Sequence, residues 1–158
     1  RMLREHDLDI GFINSFAHDL KDLEKRQYAK GEFKIAIPST HRLASRKKVS
    51  LGDFQGENII MFKKDVQPVL FDSIIESFKK AGAEPFSIQE INQRITSLAL
   101  VAAGMGICPV SPPVEQLRTG GDVLYKPVKD PFPEFELAAV WSGANSSRAL
   151  HEFLDIVF

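Results

Sequence analysis

Two short stretches with strand character, each followed by a stretch with helical spacing, occupy the middle of the chain. Residues 58–62 and 86–91 are the two predicted strands. Pro68 opens the first helical stretch, where its missing N–H costs nothing, and Gly82 ends it. Asn92 is a plausible cap for the second. Strands that alternate with helices predict an α/β fold with a parallel or mixed sheet covered on both faces.

Apolar residues mark the face that each predicted helix buries, because residues three or four apart lie on one side of a helix. A further amphipathic helix ends the chain. The apolar stripes are Leu70, Ile74 and Phe78 in the first helix and Ile95, Leu98 and Ala102 in the second, while Leu150, Phe153, Leu154 and Val157 define the amphipathic helix at the end of the chain.

The rest of the chain also divides into short predicted elements. Residues 2–7 resemble the last turn of a helix, and residues 14–31 read as a surface loop that leads into a charged edge strand. Ser50 is placed to cap a short helix at 51–54, and a second short helix is predicted at 114–118. Further strands are predicted at 8–13, 33–38, 106–110, 123–127 and 135–141, with a turn at 120–122.

Two irregular connectors, at 39–48 and 128–134, separate the central block from its flanks. If both cross between the same two bodies, residues 1–38 with 135–158 form one lobe and residues 49–127 form the other. Two-lobed α/β proteins bind ligands in the cleft between lobes, where strand ends and helix starts face each other. The connectors therefore predict a two-lobed ligand-binding domain.

Composition excludes several classes of protein. The chain has 158 residues, of which 44% are hydrophobic and 26% charged, so it can bury a core. Lys and Arg number 20 against 21 Asp and Glu, and the net charge of -1 gives no general attraction to nucleic acid or membrane surfaces. Cys108 has no partner for an internal disulfide, and no apolar run approaches the roughly 20 residues of a spanning helix. We expect a cytoplasmic protein without a membrane partner.

Motifs for catalysis or metal binding are missing from the sequence. His6, His18, His41 and His151 are scattered, without the spacing that brings metal ligands together. No nucleophile elbow, phosphate-binding loop or Cys-x-x-Cys pair occurs. We therefore expect no metal, no cofactor and no enzymatic activity.

Two segments that join a predicted strand end to a helix start carry hydrogen-bond donors. They are residues 62–68 and 92–97. Helix N-termini present unpaired N–H groups and partial positive charge, which suits an anionic small molecule. The alternative is that these helix ends bind only water, as most do. The candidate side-chain donors are Lys63, Gln93, Thr96 and Ser97.

Several motifs occur in an order that resembles one known family. The most specific stretch runs from Glu90 to Ile107 and contains Leu-Ala-Leu-Val-Ala-Ala-Gly-Met-Gly-Ile. With the segments at 8–12, 33–38, 41–44, 49–54 and 59–62, it resembles the effector-binding domain of LysR-type transcriptional regulators. One departure is Arg42, where the family commonly has proline.

This resemblance implies a type 2 periplasmic-binding-protein-like fold with a small-molecule inducer held between two lobes. The signal would pass to a separate winged helix-turn-helix. Some relatives that bind aromatic or unsaturated acids carry arginine where Asn14 stands, which weakens the case for a carboxylate partner there. The positions that match the family's pocket are Ile13, Asn14, Phe62, Lys63, Pro68, Val69, Leu70 and Thr96.

The resemblance also implies what precedes Arg1 in a complete regulator. We expect the DNA-binding domain and the first elements of lobe I to lie outside this chain, so that DNA is bound only through the absent N-terminal domain. The family forms homodimers or homotetramers, with the helix Pro68–Lys80 at the interface. Two alternatives stay open: a solute-binding protein of a transporter on the same fold, and, less favoured, an enzyme.

Overall fold

The computed structural model describes residues 2–5, 7–16, 20–116 and 121–158. Contacts divide the chain into two units: unit 1 comprises residues 1–30 and 135–158, and unit 2 comprises residues 31–134. The strands are β1 (Ile10–Asn14), β2 (Leu23–Glu32), β3 (Lys34–Pro38), β4 (Asn58–Phe62), β5 (Ser87–Ile91), β6 (Cys108–Val110), β7 (Val123–Pro127) and β8 (Glu134–Ser142). The helices are α1 (Pro68–Lys80), α2 (Arg94–Ala102), α3 (Pro112–Glu115) and α4 (Arg148–Val157), with a 3-10 helix at Leu51–Phe54.

Unit 1 contains a three-stranded sheet in the order β1-β8-β2. β8 is the central strand, and Ala138, Ala139 and Val140 in it are fully buried, as expected for a strand paired on both sides. β2 is an edge strand with charged side chains, as predicted. Residues 2–5 form a turn, so the predicted end of a helix at 2–7 is wrong over these residues.

Unit 2 contains an antiparallel sheet in the order β6-β3-β7 and a parallel pair, β4 and β5. A single bridge between Ile59 and Ile107 connects β4 to the chain entering β6. Because parallel and antiparallel pairs occur together, the sheets of the chain are mixed, and the predicted α/β class is confirmed.

The predicted boundaries of the lobes differ from the observed units. β3 pairs with β6 and β7, so residues 31–38 belong to unit 2 and not with the flanks. Both predicted connectors, 39–48 and 128–134, also lie within unit 2. The chain passes between units at 30–31, within β2, and at 134–135, where the irregular residues 129–133 have just led into β8.

Helix α1 begins and ends where the sequence predicts. Pro68 occupies the first turn, and Gly82 follows the helix with a φ of 79°, a conformation that glycine adopts without strain. Leu70, Ile74 and Phe78 are buried along one face, so the predicted stripe is confirmed.

Helix α2 differs from its prediction in both cap and buried face. Its N-cap is Gln93, without a side-chain hydrogen bond, and not Asn92. Ile95 is 64% exposed. The buried residues on this helix are Ser97, Leu98 and Val101, while the predicted Ala102 is exposed.

The start of the 3-10 helix confirms the predicted cap at Ser50. Its hydroxyl accepts from the Gly52 N–H at 3.4 Å, and the Ser50 N–H donates to Asp53 Oδ2 at 2.9 Å, which makes a capping box. Asp130 adds a carboxylate from residues 128–134: it accepts from the Leu51 N–H at 2.7 Å and from the Ser50 hydroxyl at 3.1 Å.

Some predictions fall outside the described residues. These are the end of the short helix at 114–118, of which α3 covers the beginning, the turn residue Gly120, and the histidines His6 and His18. Within the described ranges, no three His, Cys, Asp or Glu side chains are grouped to hold a metal ion. Among those same residues, no helix has the length and apolar character needed to cross a membrane.

Candidate functional site

The candidate site is the edge of unit 2 at which β4 and β5 both end. The two strands are parallel and paired in register from Asn58 with Ser87 to Phe62 with Ile91, so their carboxyl ends lie at the same edge. Residues 63–67 lead from this edge into α1, and Asn92 and Gln93 lead into α2. The sheet therefore brings the starts of two helices to one edge, as binding sites of open α/β sheets require.

The first turn of α1 supplies backbone donors at this edge. Its N-cap is Gln67, and the N–H groups of Val69 and Leu70 precede the first intrahelical hydrogen bond, which Phe71 donates to Gln67 O at 2.9 Å. Val69 is 51% exposed, whereas the Leu70 side chain is buried in the core. Leu70 therefore offers a ligand its backbone N–H and not its side chain.

Two neighbouring lysines at this edge have different environments. The Lys64 ammonium pairs with Asp72 Oδ1 at 2.7 Å and lies 5.8 Å from the centroid of the Phe71 ring, while the backbone N–H of Lys64 donates to Glu90 Oε2 at 3.4 Å. Lys63 is exposed, and its side chain has no hydrogen-bond or ion-pair partner among the described residues. Lys63 is thus the available cation of the pair.

An aromatic ring and a hydroxyl complete this edge. Phe62 is half-buried and packs edge to face against Phe71, with ring centroids 6.0 Å apart. Thr96 is exposed in the first turn of α2, where its backbone N–H donates to Gln93 O at 3.0 Å, and its hydroxyl has no hydrogen-bond partner among the described residues. The edge can therefore present cationic, hydrogen-bonding and apolar groups together.

Six of the eight predicted contacts lie in these segments of unit 2, and the other two lie in unit 1. Ile13 and Asn14 form the end of β1, where Asn14 pairs with Leu137 of β8. The Phe16 N–H donates to Asn14 Oδ1 at 3.2 Å, so the side-chain amide group is left as a donor. A ligand contact by Ile13 or Asn14 stays a prediction.

Glu136 lies in β8 next to Leu137, and the pKa of its carboxyl group is lowered. Hydrogen bonds from Lys25 Nζ at 2.7 Å and from the Ser15 hydroxyl at 2.5 Å lower its pKa below the ordinary 4.5. The carboxylate thus links β2, β8 and the residue that follows β1.

We expect Glu136 to contribute stability only while it is ionised. Its pKa is lower in the folded chain than in the unfolded chain, so this contribution is fully present above 4.5 and is lost as the pH falls through the folded value. The difference in free energy of unfolding between the native chain and Glu136→Gln, measured by urea titration between about pH 3 and about pH 7, should shrink on the acid side. Lys25→Met removes the largest cause and should flatten the same curve. An acid-side difference that grows would contradict the assignment.

Sequence reasoning missed the contacts that separate Lys63 from Lys64. Asp72 lies eight residues after Lys64, and Glu90 lies on another strand, so no local pattern pairs them. The N-cap Gln93 was also missed, because asparagine is the stronger capping residue and stands one position earlier.

Comparison with known proteins gives the same family along the whole chain. The model of the LysR substrate binding domain matches residues 1–158. The transcriptional regulator BudR of Raoultella terrigena is 25% identical over 154 residues, which cover 98% of this chain and 53% of BudR. AlsR of Bacillus subtilis is 27% identical over 155 residues, which cover 98% of this chain and 50% of AlsR. The chain spans about half the length of these curated relatives.

Solved structures show the same fold. The effector-binding domain of BenM with its effector benzoate has a TM-score of 0.81 at 23% identity, covering 99% of this chain and 70% of that one. Full-length CbnR in complex with its target DNA has a TM-score of 0.81 at 20% identity, covering 99% of this chain and 54% of that one. These likenesses confirm the type 2 periplasmic-binding-protein-like fold.

The family match confirms the resemblance that the sequence motifs indicated. The relatives are transcriptional regulators, which supports the regulator interpretation and not the transporter alternative. From the match over its whole length, this chain belongs to the LysR substrate-binding domain family.

Proposed function

We propose that this chain is the sensing domain of a LysR-type transcriptional regulator and that it binds a small anionic effector. One observation carries the anionic character: Lys63 follows the end of β4 in the segment that leads to α1, and its ammonium has no hydrogen-bond or ion-pair partner among the described residues. The family match supports sensing as the role of the domain, and the absence of a catalytic motif from the sequence favours binding without turnover.

The groups at this edge indicate the chemistry of the effector. The N–H groups of Val69 and Leu70, the positive end of α1 and the Lys63 ammonium all favour negative charge. The Thr96 hydroxyl adds a donor that can also accept, and the Phe62 ring adds an apolar wall. A compact anion with an apolar part fits this set. The benzoate bound to BenM has this character.

Signalling requires the effector to bind one conformation more tightly than another. Differential affinity alone can shift the equilibrium, and coupling energies are typically about 1–3 kcal/mol. We propose that the shift is passed to a winged helix-turn-helix outside this chain, which makes the DNA contacts. The regulator acts in the cytoplasm as a homodimer or homotetramer, with the helix Pro68–Lys80 at an interface between copies.

The function is tested with the full-length regulator bound to its own promoter. Candidate anionic metabolites are titrated while the DNA footprint and the binding isotherm are recorded. We expect at least one anion to change the footprint or the affinity for DNA. If no metabolite, charged or neutral, changes either readout, the sensing role is wrong.

Lys63→Met should weaken binding of the anionic effector about tenfold, because it removes one charge-assisted contact while keeping the aliphatic stem. Isothermal titration of the full-length protein gives the dissociation constant, and thermal unfolding should be unchanged because the side chain is exposed. Lys47→Met is the matched control, since Lys47 is an exposed lysine outside both the candidate site and the helix Pro68–Lys80. Equal losses for the two variants would show a general charge effect and would remove Lys63 from the site.

Thr96→Val tests the hydroxyl at the start of α2. Valine keeps the shape of the side chain and removes the donor, so we expect a several-fold weaker effector affinity with little change in melting temperature. Thr40→Val is the control, because Thr40 is an exposed threonine in the turn after β3. A dissociation constant that does not change in Thr96→Val would exclude Thr96 from the contacts.

A further inference from the structure

A cavity in unit 2 is lined by none of the residues predicted to contact the effector. It has a volume of about 240 Å³ and is lined by Glu32 and Phe33 on one side and by residues 128–134 on the other. These two segments are the first and the last of unit 2 along the chain. An occupant would therefore touch the segments by which the chain enters and leaves this unit.

Three hydrogen bonds hold the first half of residues 128–134, which form one wall of the cavity. The Lys129 N–H donates to Val49 O at 3.0 Å, beside the bridge that pairs Val49 with Val128. Asp130 accepts from the Leu51 N–H at 2.7 Å and the Ser50 hydroxyl at 3.1 Å. These bonds anchor the first half of the segment to the start of the 3-10 helix.

Aromatic packing anchors the second half. The Phe132 ring packs edge to face with Phe33 at 6.2 Å and with Phe78 at 6.3 Å, between centroids. Phe33 and Phe78 are buried, and Pro131 and Pro133 restrict the backbone on each side of Phe132. A wall fixed in this way costs a ligand little ordering entropy, which is a property of preformed binding sites.

Two opposite charges lining the cavity have no partner among the residues that the structure describes. Glu32 and Lys129 are both exposed, and neither side chain forms a hydrogen bond or ion pair with the described residues, including with the other. The other two carboxylates of the lining differ: Asp130 is bound to Ser50 and Leu51, and Glu134 has an interaction of its own. The cavity thus presents one available anion and one available cation beside aromatic and proline surface.

We propose that this cavity binds a small zwitterion with an apolar side chain, the chemistry of an apolar α-amino acid. The ligand ammonium pairs with Glu32, its carboxylate pairs with Lys129, and its side chain packs against Phe33, Phe132 and the flanking prolines. The cavity volume lies below the roughly 300–1,000 Å³ of sites for drug-sized molecules, so the ligand is limited to about the size of an amino acid. The proposal is independent of the effector site.

The test uses three probes that share one apolar group: L-phenylalanine, phenethylamine and 3-phenylpropanoate. Each is titrated into the isotopically labelled full-length protein while the amide resonances of Phe33, Lys129 and Phe132 are followed. Because the two protein charges are exposed, we expect a dissociation constant of about 1 mM for phenylalanine. The amine and the acid, each lacking one charge, should bind at least several-fold more weakly.

Charge variants make the assignment specific. Glu32→Gln should lower the affinity for phenylalanine to that for 3-phenylpropanoate, which lacks the ammonium. Lys129→Met should lower the affinity for phenylalanine to that for phenethylamine, which lacks the carboxylate. Lys47→Met is the control, because Lys47 is exposed and does not line the cavity, and it should leave all three affinities unchanged. The proposal is overturned if phenylalanine leaves these resonances unmoved up to its solubility limit, if the amine or the acid alone binds as well as the zwitterion, or if the two variants do not change its affinity.

Discussion

Replacing Phe78 by alanine should lower the free energy of unfolding by about 4 kcal/mol. Phe78 is 0% exposed and lies on the buried face of α1. Its ring packs against Phe54, with centroids 6.4 Å apart, and against Phe132 at 6.3 Å. The substitution removes the transfer free energy of the ring and leaves a cavity between α1, the 3-10 helix and residues 128–134. These segments are separate in the chain and cannot easily close the cavity.

Urea unfolding of the native chain and the variant measures this effect, with the midpoint shifting at constant slope if both states keep their compactness. Phe153→Ala is the matched control, since Phe153 also lies on an amphipathic helix but is 41% exposed. We expect the control to cost about 1 kcal/mol or less. Equal losses for both variants would show that Phe78 does not hold α1 against the 3-10 helix and residues 128–134.

Gly106→Ala should lower the free energy of unfolding by about 2–3 kcal/mol. A Cβ atom at this position would lie 2.6 Å from Asn58 O, which is well inside van der Waals contact. That oxygen cannot move away at low cost, because it accepts from the Ile107 N–H at 2.9 Å while Ile107 O accepts from the Ile60 N–H at 2.8 Å. The clash therefore forces apart the backbone that joins β4 to β6.

Gly104→Ala provides a control two residues away. Gly104 has a φ of 74°, but a Cβ atom there meets nothing within 4 Å. Its substitution carries only the conformational strain of an L-residue in the left-handed region, about 1–2 kcal/mol. Urea titration should rank Gly106→Ala as the more damaging change, and the reverse order would contradict the steric argument.

Local patterns in the sequence predicted α1 because several signals agree there. Pro68, the four-residue spacing of Leu70, Ile74 and Phe78, and Gly82 are each readable without knowledge of the rest of the fold. Strand β4, predicted and observed at Asn58–Phe62, is similarly defined by a short apolar run between polar residues. Where local signals are consistent, tertiary contacts have no conflict to settle.

Helix α2 shows the opposite case. An apolar stripe through Ile95 and an Asn92 cap were reasonable on local grounds, yet Ile95 is exposed. The face that packs in unit 2 carries Leu98 and Val101, which join a cluster with Ile60 of β4 and Cys108 of β6. Which face of a helix with many apolar residues is buried depends on the strands beneath it, and the sequence of the helix does not contain that information.

The amino-acid sequence determined the α/β class, the family and the segments from which the candidate site is built, because these depend on local periodicity and on motif order. The tertiary structure alone decided that β3 lies between β6 and β7, which moved residues 31–38 into unit 2. It also decided that Lys64 is bound to Asp72 while Lys63 is available. The physical reason is that strand pairing and ion pairing join residues distant in the chain, and two adjacent lysines differ only in what the fold brings beside them.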